Sequence, residues 1–202
     1  ILWSKPMMIG SGSGSEKIMH LIKPNTIGAE IGVWKGKTSI EFLKKGLKKL
    51  YLIDPYAVDN YEYLGEDYMN KFYAKYSKIT GEFSKAGFMR FYDKLYEHVY
   101  GMVKGYEEAE MCRMTSDDWF DSYKAALSNG LHEHLDWIYI DGDHSYEATT
   151  KDLNNSLDVV RSGGMIIGDD YNASKKGTTE AVNKFIKDNG LNVFTYETQF
   201  QI

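Results

Sequence analysis

Alternating apolar and amphipathic stretches along the chain predict buried strands connected by helices. Short apolar runs that are typical of strands buried on both faces occur at 26–31, 50–53, 135–140 and 165–168. A third strand, with a weaker pattern, is predicted at 110–114, and a final strand at 192–198. Apolar residues recur at helical spacing at 15–23, 38–46, 117–128, 145–161 and 178–189. Because strands and helices alternate, the pattern predicts an α/β protein with a doubly wound, mostly parallel sheet.

The helix predicted at 145–161 has an apolar face formed by Leu153, Leu157 and Val160, which we expect to be buried. Residues 1–24 form an N-terminal segment, in which the glycine- and serine-rich run at 10–14 is typical of a connector and Ser15 is the expected helix cap.

Residues 56–106 are too many for a simple crossover, because a connection between parallel strands needs only about a dozen residues. The segment is rich in Tyr and Phe, and we expect a crossover helix plus a helical insertion. Its rings either fill the core of a helical subdomain or form a lid over an acceptor pocket, since Tyr combines a flat apolar body with a hydroxyl group.

Composition and charge narrow the class of protein. With 202 residues, of which 43% are apolar and 26% charged, we expect one globular domain over 1–202. The net charge of −5 argues against nucleic acid as a partner, since such binders need a basic face. The single cysteine, Cys112, favours a cytoplasmic protein without an intrachain disulfide. No apolar run approaches the roughly 20 residues of a membrane span, so a membrane is not an expected partner either.

Two neighbouring predicted strands end in acidic residues. Asp141, Asp143 and His144 follow the fourth strand, and Asp169 and Asp170 follow the fifth. Open α/β sheets bind their ligands outside the carboxyl ends of the strands, so these side chains are expected along one edge. Mg²⁺ prefers oxygen ligands from a few carboxylates, water and substrate. Three of these acids, Asp141, Asp169 and Asp170, could therefore hold a metal ion.

The turn after the first strand reads Glu30-Ile31-Gly32-Val33-Trp34-Lys35-Gly36. It is not the G-x-G-x-x-G dinucleotide fingerprint, because Trp34 and Lys35 interrupt the glycine spacing. Asp54 ends the second strand, where an acidic residue commonly accepts hydrogen bonds from the two hydroxyls of a ribose. The alternative for Asp54 is a turn residue before Pro55.

Three motifs in order resemble class I S-adenosylmethionine-dependent methyltransferases, in the macrocin O-methyltransferase-like branch that acts on small molecules and sugars. They are Glu-Ile-Gly-Val-x-x-Gly-x-[Ser/Thr]-[Ser/Thr] from Glu30, Ile-Asp-Gly-Asp-His-Ser-Tyr from Ile140, and Gly-Gly…Asp-Asp-Tyr from Gly163. The resemblance covers roughly residues 25–200, without the 56–106 insertion. It implies a Rossmann-like fold with strand order 3-2-1-4-5 and two further C-terminal strands, of which the pattern predicts only one. Either the chain is trimmed or a partner subunit finishes the edge, which makes a homo-oligomer possible.

The resemblance also assigns roles to individual positions. The cofactor-binding residues would be Glu30 and Gly32 at the methionine end of S-adenosylmethionine, Trp34 in the same turn, Asp54 at the ribose, Ser116 near the adenine, and Asp141. The ligands of Mg²⁺, or of Mn²⁺, would be Asp141, Asp169 and Asp170.

Asp143 and His144 compete for the role of general base. His144 has the more suitable intrinsic pKa, whereas Asp143 needs a pKa raised by neighbouring carboxylates or an alignment enforced by the metal site. We favour Asp143, with His144 as its partner or substitute. The structural alternatives are a helix cap for Asp143 and a brace of the turn for His144.

The expected function is Mg²⁺-dependent transfer of a methyl group from S-adenosylmethionine to a hydroxyl of a small acceptor, which could be a sugar, a glycosylated metabolite or a phenol. The alternatives are a metal-independent methyltransferase, a metal-dependent hydrolase and a non-catalytic cofactor-binding protein. The hydrolase leaves the motif from Glu30 and the acid at Asp54 without an explanation.

Overall fold

The computed structural model describes residues 17–58 and 65–202, which form a seven-stranded sheet in the order β3-β2-β1-β4-β5-β7-β6. The strands are β1 (Ile27–Ile31), β2 (Lys49–Ile53), β3 (Ala109–Cys112), β4 (Leu135–Ile140), β5 (Val160–Gly168), β6 (Phe194–Tyr196) and β7 (Gln199–Gln201). The helices are α1 (Lys37–Leu43), α2 (Glu66–Thr80), α3 (Lys85–Val103), α4 (Ser116–Ser128), α5 (Tyr146–Val159) and α6 (Lys176–Asn189). Strands β1 to β5 are parallel and β7 is antiparallel to both of its neighbours. The predicted doubly wound, mostly parallel sheet is confirmed.

The central strands read as continuous apolar runs because both of their faces are covered. All five residues of β1 are buried. Successive side chains of a strand point to opposite faces, so Leu52 and Tyr139 join one core layer, whereas Ile53 and Ile140 join the other. The strand ends are therefore held rigidly from both sides, which fixes the polar residues that follow them.

The single C-terminal strand predicted at 192–198 is wrong. The chain forms two short antiparallel strands, β6 and β7, and β7 pairs with β5. A two-residue turn connects them, in which Glu197 has a φ of 59°. The hydrophobic pattern missed this hairpin because each strand has only three residues. The edge beside β5 is thus finished by this chain, and the homo-oligomer stays a prediction.

The helix predicted at 15–23 is wrong from residue 18 onwards. Lys17 is in a 3₁₀ conformation and residues 18–21 form turns, in which the backbone N–H of Leu21 donates to the carbonyl of Ile18 at 2.9 Å. Ile18, Met19 and Ile22 are nevertheless buried. Ser15 and the connector predicted at 10–14 lie outside the described residues.

Helix α5 buries only part of the predicted face. Leu157 is 46% exposed, whereas the polar residues Thr149, Asp152 and Ser156 are buried beside Leu153. The helix also ends at Val159, and β5 begins at the next residue, five residues before its predicted start.

The insertion is helical, as predicted, and consists of α2 and α3. Phe88 on α3 packs against Phe72 and Tyr76 on α2, with ring centroids 4.8 and 5.4 Å apart, so these rings form a core. Tyr61 and Tyr63 lie outside the described residues. Within the two described ranges, no helix combines the length and the apolar character needed to cross a membrane.

Candidate functional site

The carboxyl end of β1 carries a buried acid. Glu30 is 1% exposed, and its Oε2 accepts a hydrogen bond from Ser39 Oγ at 2.5 Å. Burial raises the pKa of Glu30 well above its ordinary value; the Ser39 hydroxyl opposes this rise, and the charges of Asp141 and Asp54 add to it. Acidic groups at the ends of β1, β2 and β4 are therefore close enough to influence one another.

The turn after β1 needs glycine at its first position. Gly32 has a φ of 88°, and a Cβ on it would lie 2.1 Å from the backbone carbonyl oxygen of Asp141. The N–H of Gly32 donates to the carbonyl of Ile53 at 2.9 Å, and the N–H of Asp141 donates to that of Ile31 at 2.8 Å. Strand pairing thus continues past β1, and the close approach of the β4 end accounts for the glycine.

Asp54 organises this turn from the end of β2. Its Oδ2 accepts hydrogen bonds from the backbone N–H groups of Val33 at 3.1 Å and Trp34 at 2.9 Å, and its Oδ1 accepts one from Tyr56 at 2.8 Å. Burial raises the pKa of Asp54, and these three hydrogen bonds oppose the rise. The turn role weighed for Asp54 is therefore present, and the ribose role stays a prediction.

Trp34 connects the turn to the helical insertion. Its ring packs edge-on against Tyr76 and Tyr92, with centroids 6.4 and 6.0 Å apart, and lies 5.8 Å from Phe91. Its backbone carbonyl accepts a hydrogen bond from Tyr56 Oη at 2.9 Å. A cofactor-binding residue predicted at this position thus lies between β1 and the pair α2 and α3.

Ser116 is the first residue of α4, and its hydroxyl hydrogen-bonds the carboxyl of Asp152 on α5. Asp152 is 3% exposed. Its burial raises its pKa to about 7; the bond to Ser116 opposes this rise, and the charges of Asp117 and Asp143 add to it. Sequence analysis missed Asp152, because a single Asp in an amphipathic helix looks the same whether it is buried or exposed.

Three side chains converge at the carboxyl ends of β4 and β5, which we call the cation half of the site. Asp141, His144 and Asp170 each offer a ligand atom, and these atoms lie within 4.8 Å of one another. His144 Nδ1 lies 3.0 Å from Asp170 Oδ2, and Lys175 Nζ lies 3.0 Å from the same oxygen. Burial raises the pKa of Asp141 well above its ordinary value; Asp169 and Asp170 add to the rise, and Lys175 opposes it.

Asp169 lies beside this group but makes other contacts. Its Oδ1 accepts hydrogen bonds from Thr198 Oγ1 and from the backbone N–H of Asp170, both at 2.7 Å. Asp170 itself has a left-handed φ of 61°, so successive acids leave the strand in different directions. In the part of the chain that the structure covers, Asp169 is not among the side chains that come together as one group of ligands.

The two candidates for the general base lie at the entry to α5. Asp143 Oδ1 accepts a hydrogen bond from the backbone N–H of Ser145 at 2.8 Å, and Ser145 Oγ caps the helix by accepting from Ala148 at 3.2 Å. The helix cap weighed for Asp143 is therefore wrong: Ser145 is the cap, and Asp143 holds the backbone of the residue that caps the helix. The pKa of His144 is lowered mainly by burial, against the charge of Asp170, and burial thus favours the neutral imidazole.

Sequence reasoning missed Lys175 and Thr198. Lys175 directly precedes α6, and nothing in its neighbourhood distinguishes it from the exposed Lys176 that follows. Thr198 lies in the turn between β6 and β7, a hairpin that the pattern did not predict. Both residues reach the site only through tertiary contacts.

The arrangement defines a class of protein. A parallel sheet extended by an antiparallel β7 between β5 and β6, with a glycine turn after β1 and acids at the carboxyl ends of β1, β2 and β4, is the architecture of class I methyltransferases, as the motifs implied. Comparison with protein families agrees. Residues 29–171, well over half of the chain, match the sequence model of the family described as "Methyltransferase domain". The chain belongs to this methyltransferase family.

Solved methyltransferase structures share the fold. An O-methyltransferase from Bacillus cereus in complex with SAH is 13% identical, with a TM-score of 0.60 over 97% of this chain and 82% of that chain. A putative O-methyltransferase from Klebsiella pneumoniae is 14% identical, with a TM-score of 0.58 over 97% and 81% of the two chains. The O-methyltransferase NovP is 19% identical, with a TM-score of 0.55 over 93% and 74%. At these identities the likeness concerns the fold.

A curated relative matches a shorter stretch of sequence. The uncharacterized protein R132 of Acanthamoeba polyphaga mimivirus is 32% identical over 71 residues, which are 34% of this chain and 32% of that protein. The match thus spans about a third of the relative's length.

Proposed function

We propose that this protein transfers a methyl group from S-adenosylmethionine to a hydroxyl oxygen of a small-molecule acceptor, assisted by a divalent cation, Mg²⁺ or Mn²⁺. The observation that carries the proposal is the row of acids at the ends of β1, β2, β4 and β5. Asp141 connects the acids of β1 and β2 with those of β5. Its charge raises the pKa of Glu30, and its carboxylate also joins the group with His144 and Asp170. A methyl donor and a cation bound along the row would be neighbours.

The acids at the ends of β1 and β2, Glu30 and Asp54, form with the turn at Gly32 what we call the cofactor half of the site. Their chemistry suits the methyl donor. S-adenosylmethionine carries a cationic sulfonium, an ammonium group and a ribose with two hydroxyls. Carboxylates attract the cations, and an acid at the end of the second strand suits the ribose, which is the role proposed for Asp54. Glu30 and the turn at Gly32 would lie at the methionine end, and Ser116 near the adenine. The Bacillus cereus structure with SAH supports the identity of the donor.

The chemistry of the cation half suits a divalent ion. Lys175 already holds a positive charge 3.0 Å from Asp170 Oδ2, so the carboxylates accept a cation at this point. Asp141, Asp169 and Asp170 are the ligands that the sequence motifs imply, and Asp141 and Asp170 are the two of them that converge here. The ion would lower the pKa of the acceptor hydroxyl and help to align its oxygen.

The chain's own residues would orient the acceptor and take up its proton. In the reaction the acceptor oxygen forms a bond to the methyl carbon while the bond from that carbon to sulfur breaks, which leaves a neutral thioether. The hydrogen bond from Ser145 N–H to Asp143 Oδ1 fixes the orientation of this carboxylate and leaves Oδ2 for the acceptor's proton. His144 is the second candidate for this role. Alignment of oxygen, methyl carbon and sulfur would supply much of the rate gain.

The helical insertion is the proposed lid over the acceptor. Trp34 joins the cofactor half to α2 and α3, so this aromatic surface begins where the donor would bind. Flat rings with hydroxyl groups suit a sugar, a glycosylated metabolite or a phenol. The expected location is the cytoplasm, without nucleic acid or membrane as partners.

Calorimetric titration with S-adenosylhomocysteine, with and without Mg²⁺, tests both halves of the site. The wild-type protein is expected to bind it, Asp54→Asn to weaken the binding, and Asp170→Asn to retain the binding but lose the response to Mg²⁺. Asp158→Asn, an exposed change on α5, is the matched control and should alter neither. A folded wild-type protein that does not bind S-adenosylhomocysteine would overturn the proposal and leave a hydrolytic metal site as the explanation of the carboxylates.

The contact between Lys175 and Asp170 favours one alternative, a methyltransferase that works without a metal. In that case the ammonium group permanently neutralises the acid, and a nitrogen acceptor would need no ion to lower its pKa. The same titration separates the two, since Mg²⁺ would then have no effect on the wild-type protein or on Asp170→Asn.

A further inference from the structure

The group of ligands in the cation half differs from the three acids that the sequence motifs imply. It contains His144 and not Asp169, whose Oδ1 accepts hydrogen bonds from Thr198 and from the backbone of Asp170. The bond from Thr198 holds Asp169 towards the turn between β6 and β7. The imidazole of His144, by contrast, has its Nδ1 3.0 Å from Asp170 Oδ2.

We propose that His144 is a direct ligand of the cation, and that Asp141, His144 and Asp170 form a mixed nitrogen–oxygen centre that prefers Mn²⁺ to Mg²⁺. This inference rests on the proposed function, because it concerns the cation half of the same site. It leaves Asp143 as the general base and gives Asp169 the task of positioning the turn that carries Asp170.

The separation of the groups agrees with shared coordination. Adjacent ligands of an octahedral ion with bonds of about 2.1 Å lie about 3 Å apart. The distance from His144 Nδ1 to Asp170 Oδ2 is 3.0 Å, and Asp141 completes a group whose ligand atoms all lie within 4.8 Å. One ion can therefore reach all three side chains.

The kind of atom in the group sets the preference for the metal. Mg²⁺ takes oxygen ligands and keeps several of its waters, whereas imidazole nitrogen suits transition metals, and carboxylates also suit Mn²⁺. Two carboxylates and one imidazole thus favour Mn²⁺ over Mg²⁺. Replacing the imidazole by an oxygen donor should remove most of that preference.

Lys175 gives the site a resident positive charge. Its Nζ lies 3.0 Å from Asp170 Oδ2, the oxygen that also faces His144. An ion that binds this oxygen has to displace the ammonium group. Lys175 therefore weakens the binding of Mn²⁺ and Mg²⁺ alike, because its charge opposes any divalent ion whether or not that ion prefers a nitrogen ligand.

Pulsed electron paramagnetic resonance of Mn²⁺ bound to the full chain tests the ligand directly, because it detects a coordinated ¹⁴N nucleus without any catalytic turnover. The wild-type protein is expected to show ¹⁴N modulation and to bind Mn²⁺ at least about tenfold more tightly than Mg²⁺. In His144→Asn the modulation should disappear, and most of the preference for Mn²⁺ over Mg²⁺ should be lost. His134→Asn, at the opposite end of β4, is the matched control and should change neither.

Two more variants separate the roles of the neighbouring groups. Asp169→Asn should keep the ¹⁴N modulation. Lys175→Met should raise the affinities for Mn²⁺ and Mg²⁺ alike by about two- to fivefold, which corresponds to the roughly 0.5–1 kcal/mol of a partly exposed ion pair. Lys176→Met, at the adjacent exposed position, should leave both affinities unchanged.

Three results would overturn the assignment of His144. They are Mn²⁺ bound to the wild-type protein without ¹⁴N modulation, modulation that survives in His144→Asn, and failure to bind either ion. Titration with S-adenosylhomocysteine in parallel keeps the proposed function distinct, because a protein that binds it but lacks nitrogen coordination refutes only this inference.

Discussion

The buried carboxyl of Asp152 predicts an unusual dependence of stability on pH. Burial raises its pKa from an ordinary value of about 3.9 to about 7. The folded protein therefore holds this proton more tightly than the unfolded chain does. The stabilisation that results is fully present below about pH 4 and is lost as the pH rises through about 7.

The size of the effect follows from the two pKa values. They differ by about three, and each pKa unit corresponds to 1.36 kcal/mol, so the whole change is about 4 kcal/mol. This is large beside the roughly 5–15 kcal/mol of a typical domain. Asp152→Asn removes the charge, keeps the size of the side chain and retains an oxygen for the Ser116 hydroxyl. The free energy of unfolding of the variant should exceed that of the wild type by up to about 4 kcal/mol at pH 8, and by only about 1 kcal/mol at pH 4.5.

Urea unfolding followed by circular dichroism at pH 4.5, 6 and 8 measures this difference. Asp158→Asn is the control, since its side chain lies on the same helix but is 61% exposed; it should track the wild type at every pH. If Asp152→Asn is no more stable than the wild type at pH 8, the charge of Asp152 is accommodated where it lies, and the reasoning is refuted.

Two further substitutions test the elements that hold the site. Gly32→Ala combines a φ of 88° with a Cβ 2.1 Å from the carbonyl oxygen of Asp141 and should lower the free energy of unfolding by about 2–4 kcal/mol in thermal denaturation. Gly46→Ala, with a φ of 69° but nothing within 4 Å of the new Cβ, should cost only about 1–2 kcal/mol; an equal loss in both variants would contradict the role of the β4 end. Thr198→Val deletes the hydrogen bond to Asp169 and should cost about 0.5–1.5 kcal/mol, and Thr198→Ser, which keeps the hydroxyl, should restore most of it.

The sheet was predictable where burial on both faces leaves a simple signature. β1 and β4 read as apolar runs, each interrupted by a single acid (Glu30 and Asp136), because both of their faces are covered. β6 and β7 carry no such signature, since each has only three residues. The buried face of α5 was predicted only in part, because that face is polar at Asp152 and Ser156, whereas Leu157 faces solvent.

The positions of the candidate site residues were more predictable than their contacts. An acid that follows a buried strand within two residues lies at the carboxyl edge of the sheet whatever its partners, which located Asp54, Asp141, Asp169 and Asp170. Contacts made across the fold leave no trace in local spacing. The hydrogen bond from Thr198 to Asp169 and the approach of Lys175 depend on a hairpin and a helix start that only the folded chain brings together.

Asp141 determines how the two halves of the site can be studied. Its charge raises the pKa of Glu30 in the cofactor half, and its own pKa is raised by burial and by the acids of the cation half. Replacing Asp141 would therefore alter both halves at once, and the resulting losses could not be apportioned, because contacting residues are not additive. Asp54 and Asp170 each belong to one half of the row, so they are the positions at which cofactor binding and cation binding can be separated.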